Sequence, residues 1–245
     1  MPCLVARRTF TAAFMLVAPA VSAQTPAAPA RPWTIQTDFG FVNTAGNTST
    51  TTLNAGLESG YTTGRWTLGQ TFAAVYGRTD GKRSAESYQA GLRADYAFSP
   101  RVGIYLMGGW NRNEFAGIAR RFEEGTGLRF KAVTTERTQL SLEAGIGLNQ
   151  QRDLAGVQND FASARSALRF KQLLGAAAYV QQLVEVLPNL KTSTDVRVNS
   201  ETALVAPLSS RIAFKAGYVV RFDNLPEPGF KKTDRYLTSG LQVSF

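Results

Sequence analysis

The chain has 245 residues, a formal net charge of +9, one cysteine and no histidine. With Cys3 the only thiol, no disulfide framework, Ser-His or Cys-His nucleophile, or His- or Cys-ligated metal site can be assembled from residue 4 onward. The basic residues are dispersed, with no basic run and no recognisable nucleic-acid module, so nucleic acid is not an expected partner.

At the start of the chain Arg7 and Arg8 precede an apolar run over 10–21, and Val21-Ser22-Ala23 offers small residues for cleavage. That pattern predicts a secretory signal peptide over 1–23. The run is too short to span a bilayer as a helix, which needs ~20 apolar residues. Removal of Arg7 and Arg8 would lower the formal charge to +7. Residues 24–32, rich in Pro and Ala, read as a flexible periplasmic leader with too little apolar bulk to fold.

From Trp33 onward the chain divides into twelve alternating segments, 33–42, 50–61, 65–77, 86–98, 101–111, 121–132, 137–149, 161–172, 175–187, 190–203, 211–222 and 235–245. Each is long enough for a tilted transmembrane strand of ~9–11 residues. An even number returns the chain to its starting side, as a single-chain outer-membrane barrel requires. The links also alternate. Short turns at 62–64, 99–100, 134–136, 175 and 207–210 separate longer connections at 43–49, 78–85, 113–120, 150–160 and 223–234, with 187–189 a short exception on the outer side. Short periplasmic turns and longer outer loops are the usual arrangement.

Period-two alternation assigns the faces. Leu140, Leu142, Ala144, Ile146 and Leu148 oppose Ser141, Glu143, Gly145, Gly147 and Asn149; Tyr88, Leu92, Ala94 and Tyr96 oppose Gln89, Arg93 and Asp95. In 211–222, Ile212, Phe214, Tyr218 and Phe222 oppose Lys215, Gly217 and Arg221. In 190–203, Val196 and Val198 oppose Lys191, Asp195, Arg197, Asn199 and Glu201. A lipid-facing Arg or Lys near the midplane costs ~2–4 kcal/mol, so the charges are expected to point inward. Gln70 interrupts the apolar face of its segment, and 175–187 fits neither phase well.

Aromatic residues fall at strand ends, Trp33, Tyr61, Trp66, Phe98 and Phe245 on one side and Phe41, Tyr76, Trp110 and Phe222 on the other, as membrane girdles do. The last segment alternates strictly up to Phe245 and is expected to close the ring against the strand near Trp33. The fold expected for 33–245 is all-β, a transmembrane antiparallel up-and-down barrel of about twelve strands of the bacterial outer-membrane type. Its expected surroundings are outer-membrane lipid and, during assembly, the barrel-assembly machinery acting on the final strand.

Several short stretches in order, Gly40-Phe41-Val42-Asn43-Thr44-Ala45-Gly46-Asn47-Thr48, Arg93-Ala94-Asp95-Tyr96, Asn113-Glu114-Phe115-Ala116-Gly117-Ile118, Leu142-Glu143-Ala144-Gly145, Arg197 to Thr202, Tyr218 to Asn224 and Lys232-Thr233-Asp234, resemble the YdiY-like, salt-induced outer-membrane proteins. The resemblance implies an outer-membrane barrel associated with salt stress and carries no catalytic mechanism or cofactor. Val243 departs from the aromatic common at the third position from the end of outer-membrane chains.

Catalysis is not expected. A carboxylate pair drawn from Glu143, Glu201 and Asp95 is the one acid/base candidate, and Gly125-Thr126-Gly127 and Gly145-Ile146-Gly147 read as glycines for close strand packing, since neither has the third glycine of a dinucleotide site. The inward charges Arg93, Asp95, Arg129, Lys131, Glu143, Arg165, Arg169, Lys171, Arg197, Glu201, Lys215 and Arg221 fit two arrangements. They line a narrow polar path whose basic excess favours anions, or they fill the lumen of a non-conducting structural barrel.

Overall fold

The computed structural model describes residues 32–44, 50–175 and 177–244. The expected signal peptide, the leader up to residue 31, the 45–49 part of the first link and Phe245 lie outside the described residues. The strands are β1 Trp33–Thr44, β2 Thr50–Thr63, β3 Trp66–Thr79, β4 Lys82–Ala97, β5 Val102–Asn113, β6 Ile118–Thr134, β7 Thr138–Asp153, β8 Gln158–Leu174, β9 Ala178–Pro188, β10 Val196–Pro207, β11 Ile212–Asp223 and β12 Thr233–Ser244. Each pairs antiparallel with its sequence neighbours, and β12 returns to β1 to close the barrel. Closure leaves no free edge, the condition a sheet must meet to stand in lipid.

Two of the expected links change. The ladder between β3 and β4 continues past Arg78, so the connection is only Asp80-Gly81, with φ of 51° and 76°. Asp-Gly with two positive φ values is the two-residue hairpin turn whose twist matches paired strands. On the other side of the barrel, β9 runs to Pro188 and β10 begins only at Val196. Asn189 makes the difference. Its Oδ1 accepts from the backbone N–H of Lys191 at 2.8 Å and of Thr192 at 3.2 Å, and its Nδ2 donates to Asp195 Oδ2 at 2.7 Å. These bonds wind residues 190–195 into a loop, as Asn side chains do when they replace ladder bonds. Lys191 and Asp195 therefore belong to the outer link rather than to a strand face.

The barrel is inverted relative to a soluble one. Leu237 is 80 % exposed, Leu92 65 % and Ile146 62 %, whereas Asp95, Glu143, Arg165 and Arg197 are each 5 % exposed or less. Apolar side chains thus form an outer belt and charged ones the interior, the distribution that lipid outside and a polar lumen inside demand. At the rim that holds the β2–β3 turn, Trp33 stacks near Tyr61 with centroids 4.6 Å apart, and Trp66 near Tyr96 at 4.9 Å.

Among the described residues, Gln70, Gln182 and Glu124 are polar side chains that interrupt the outer belt. Gln70 faces outward beside Ser59, its partner in register on β2. On β9 the inward row is Tyr179, Gln181, Leu183 and Glu185, leaving Gln182 outward, where its Nε2 donates to Ser200 Oγ at 2.9 Å and its Oε1 accepts from the Thr202 hydroxyl. The inward Leu183 and outward Gln182 are why this segment has no clear phase in sequence. Glu124 also points outward, between Gly108 and Leu148 and one rung inside the Trp110–Phe122 pair. This corrects the expectation that the charges keep to the inward face.

Inside, Tyr105 is 1 % exposed and occupies a socket made of backbone. Asp95, Tyr105, Gly127, Gly145 and Arg165 stand opposite one another across five consecutive strands. A Cβ on Gly127 would meet Ala144 O at 2.3 Å and Tyr105 Oη at 2.6 Å; one on Gly145 would meet Thr126 O at 2.3 Å and Tyr105 Oη at 2.5 Å. Gly108, facing outward, has nothing within 4 Å of its would-be Cβ. Gly127→Val is therefore expected to lower the unfolding free energy in urea by about 1–3 kcal/mol or to abolish folding, by overpacking. Gly108→Val should stay within about 0.5 kcal/mol of the native protein. Equal effects of the two substitutions would show that the tyrosine socket does not constrain the wall.

Candidate functional site

The lumen is built from inward rows that mix large charged residues with glycine, alanine or serine. In the row Gly103, Arg129, Glu143, Ala167, Glu185, Asn199, Arg221, each strand from β5 to β11 contributes one residue, and acids and bases fall near one another because the register places them so. The small residues leave room for long side chains to lean across their neighbours.

Glu143 is the centre of the densest group, and its side chain has no exposed surface. It accepts from Arg93 Nη2 at 2.8 Å and Nη1 at 3.1 Å, from Arg165 Nη1 at 2.7 Å and from Arg169 Nε at 3.3 Å. Asp95 accepts from Arg93 Nε at 2.8 Å and lies 2.9 Å from Arg129 Nη1. Arg165 also donates through Nε to Glu185 at 3.0 Å and through Nη1 to Tyr105 Oη at 2.9 Å. The Tyr105 ring lies 4.3 Å from the Arg93 guanidinium carbon and 5.1 Å from that of Arg165, within the range of cation–π attraction. Charges this deep persist because each has partners; removing one member of a buried pair costs about 3–5 kcal/mol, since the other is left unpaired. The group forms a buttress along the β4–β9 wall.

The remaining charges are placed around it. Arg197 donates from Nη1 to Glu123 at 2.9 Å and from Nη2 to Asn149 Oδ1 at 2.8 Å, with its guanidinium 5.2 Å from the Phe161 ring centroid. Lys215 pairs with Asp38 across β12, and Arg221 pairs with Glu201 on β10. Lys171 Nζ lies 4.1 Å above the Tyr179 ring, and Lys131 stands inward near the end of β6, opposite Ser141. Asp38, Tyr105, Glu123 and Glu185 complete the network and were not among the residues the sequence singled out. Tyr105 reads in sequence as one more apolar residue, and Glu185 lies in the strand whose phase is ambiguous. Asp38, by contrast, sits in clean alternation between Thr37 and Phe39, a signal that was there to use.

The three candidate carboxylates are all engaged by guanidinium groups: Arg93 bridges Asp95 and Glu143, and Arg221 holds Glu201. Among the described residues, no group of three or more His, Cys, Asp or Glu side chains could hold a metal ion.

Beside the buttress the lumen holds a cavity of about 890 Å³. Its other wall carries the small residues Gly56, Ala73, Val75 and Gly217 between the polar Asp38, Asn54 and Glu58. Lining residues extend from Asp223, Glu227 and Lys231 at one end of the barrel to Gln139, Lys171 and Gln181 near the other. The cavity therefore follows the long axis of the strands.

The barrel is similar in fold to a solved porin. The NanC porin aligns over 86 % of this chain and 98 % of its own, with 9 % identity and a TM-score of 0.52. The KdgM porin, solved in complex with disordered oligogalacturonate, aligns over 87 % and 99 % with 10 % identity and a TM-score of 0.49. In sequence, the uncharacterized protein YdiY of Escherichia coli (strain K12) is 23 % identical over 227 residues, covering 89 % of this chain and 86 % of YdiY. The family described as "Protein of unknown function, DUF481" matches residues 37–245, and the chain belongs to that family.

Proposed function

We propose that this barrel resides in the bacterial outer membrane, in contact with its lipid, and passes small polar solutes, with a preference for anions. The observation that carries this reading is the cavity that runs beside the buttress from the Glu227 end of the barrel to the Lys171 end. A lumen completely filled by its charges would have no such space. Arg169, whose side chain is 46 % exposed, and Lys171 project into the end of the path near the β8–β9 turn, where they raise the local concentration of anions. Glu58 on the opposite wall moderates that bias.

The role is that of a passage and not of an enzyme: the inward carboxylates Asp95, Glu123, Glu143 and Glu201 are all held in ion pairs by guanidinium groups, which occupy the oxygens that acid/base work would need. Insertion by the barrel-assembly machinery through β12, which the alternating final strand supports, and raised abundance under salt stress, which the family resemblance supports, belong to the same reading.

In planar bilayers the folded protein is expected to give discrete channel events with a reversal potential favouring anions under a salt gradient. Arg169→Glu combined with Lys171→Glu should move that potential toward cations. An absence of channel events from protein that is folded would overturn the reading, and an unchanged potential in the double variant would remove these two residues from selectivity. Fractionation should recover the protein with the outer membrane, and unboiled samples should migrate differently from boiled ones on a denaturing gel. Recovery in the soluble periplasm would contradict the location.

A further inference from the structure

The mouth at the Glu227 end is crossed by a segment of the chain itself. In a ring of twelve strands the β5–β6 and β11–β12 connections stand on opposite sides, yet they meet. Gly117, with φ of 78°, ends the short 3-10 turn Glu114–Ala116 that joins β5 to β6. A Cβ placed on Gly117 would lie 2.8 Å from Glu227 Cβ and 2.9 Å from the Phe230 ring, so the β11–β12 link rests directly on the facing hairpin.

This strap has a fixed root and a lightly held tip. At the root, Asn224 N–H donates to Val196 O at 3.0 Å, Asn224 Nδ2 to Thr194 O at 2.8 Å and Asp223 N–H to Lys232 O at 2.8 Å. At the tip, a side-chain bond reaches the facing wall, from Gln151 Nε2 to Glu227 Oε1 at 2.6 Å. Gln151 Oε1 in turn accepts from Arg121, through Nε at 2.7 Å and through Nη2. Arg121 is 8 % exposed, and among the described residues no ion pair joins it to a carboxylate. The Gln151 amide thus bridges the buried Arg121 guanidinium and the docked Glu227 carboxylate. Beneath the strap, Pro226, Glu227, Lys231, Arg121, Gln151 and Ile118 all line the cavity.

We propose that the β11–β12 link is a gate: with Glu227 docked on Gln151 and Phe230 on Gly117 it narrows the mouth, and when the tip lifts about its root the path widens. A strap with a pinned root and a polar tether at its tip is suited to two positions. The inference rests on the channel reading given above.

The test uses the full chain in a Cys3→Ser background, folded and inserted in planar bilayers. Glu227→Ala, which frees the tip, should raise single-channel conductance or open probability above that of the parent. Gln151→Cys with Glu227→Cys, bridged by a short bifunctional methanethiosulfonate reagent, should lose most of the current and regain it on reduction. A third variant, with residues 225–231 replaced by a Gly-Ser loop, separates the two ideas. If it and the parent conduct equally, or if bridging leaves the current unchanged, the gate is refuted while the channel stands. If the folded parent gives no channel events, the channel reading fails and the gate falls with it.

Discussion

The attraction between the Glu143 carboxylate and the guanidinium groups of Arg93, Arg165 and Arg169 organises the interior of this barrel. Cations projecting from the β4–β9 wall would repel one another across a narrow lumen if the acids between them were absent. Their long side chains reach Glu143 only because Gly127, Gly145 and Ala167 occupy the intervening inward positions. Tyr105 fills the remaining space, presenting its ring to two guanidiniums and its hydroxyl to Arg165. The constraint is mutual, because small residues without the ion cluster would leave a slack wall and the cluster without small residues would not fit.

Because the cluster gathers on one side, the lumen is asymmetric. The opposite wall, through Gly56, Ala73 and Val75, carries little bulk, and the free space follows it. Rigidity and passage are thereby separated: one wall braces the cylinder while the other leaves room. The charges nearest that room, Arg169, Lys171, Lys215–Asp38 and Arg221–Glu201, face water more than those in the buttress, and their fields are screened accordingly.

Much of this was legible in sequence because lipid imposes a sharp rule. A residue on the outer face of a strand must be apolar, and a charge there is costly, so period two marks both the strands and the inward set. The rule weakened where side chains could solve their polarity locally. Gln182 is tolerated outward because Ser200 and Thr202 satisfy it, and that exchange blurred β9. Asn189 redirected the backbone through its own side chain and displaced the start of β10. The Asp80-Gly81 turn carried a clear signal that a count of apolar residues overlooks. Which acid meets which base was not legible at all, since that depends on register between strands many residues apart, as in Lys215 with Asp38. Glu124 obeys none of these explanations: it faces outward beside Gly108 and Leu148, and nothing in the structure accounts for it.

Cysteine accessibility tests the central claim, an apolar exterior around a partly open charged lumen, most directly. Single cysteines would replace Ala73 and Gln181, which line the cavity, and Leu92 and Ile146, which face outward, in the Cys3→Ser background. In the folded protein in vesicles, a charged methanethiosulfonate reagent is expected to modify the first pair and spare the second, while a lipid-soluble maleimide modifies the second. Equal reaction of Leu92 and Ile146 variants with the charged reagent, or silence of the Ala73 and Gln181 variants, would contradict this arrangement of lipid face and wet lumen.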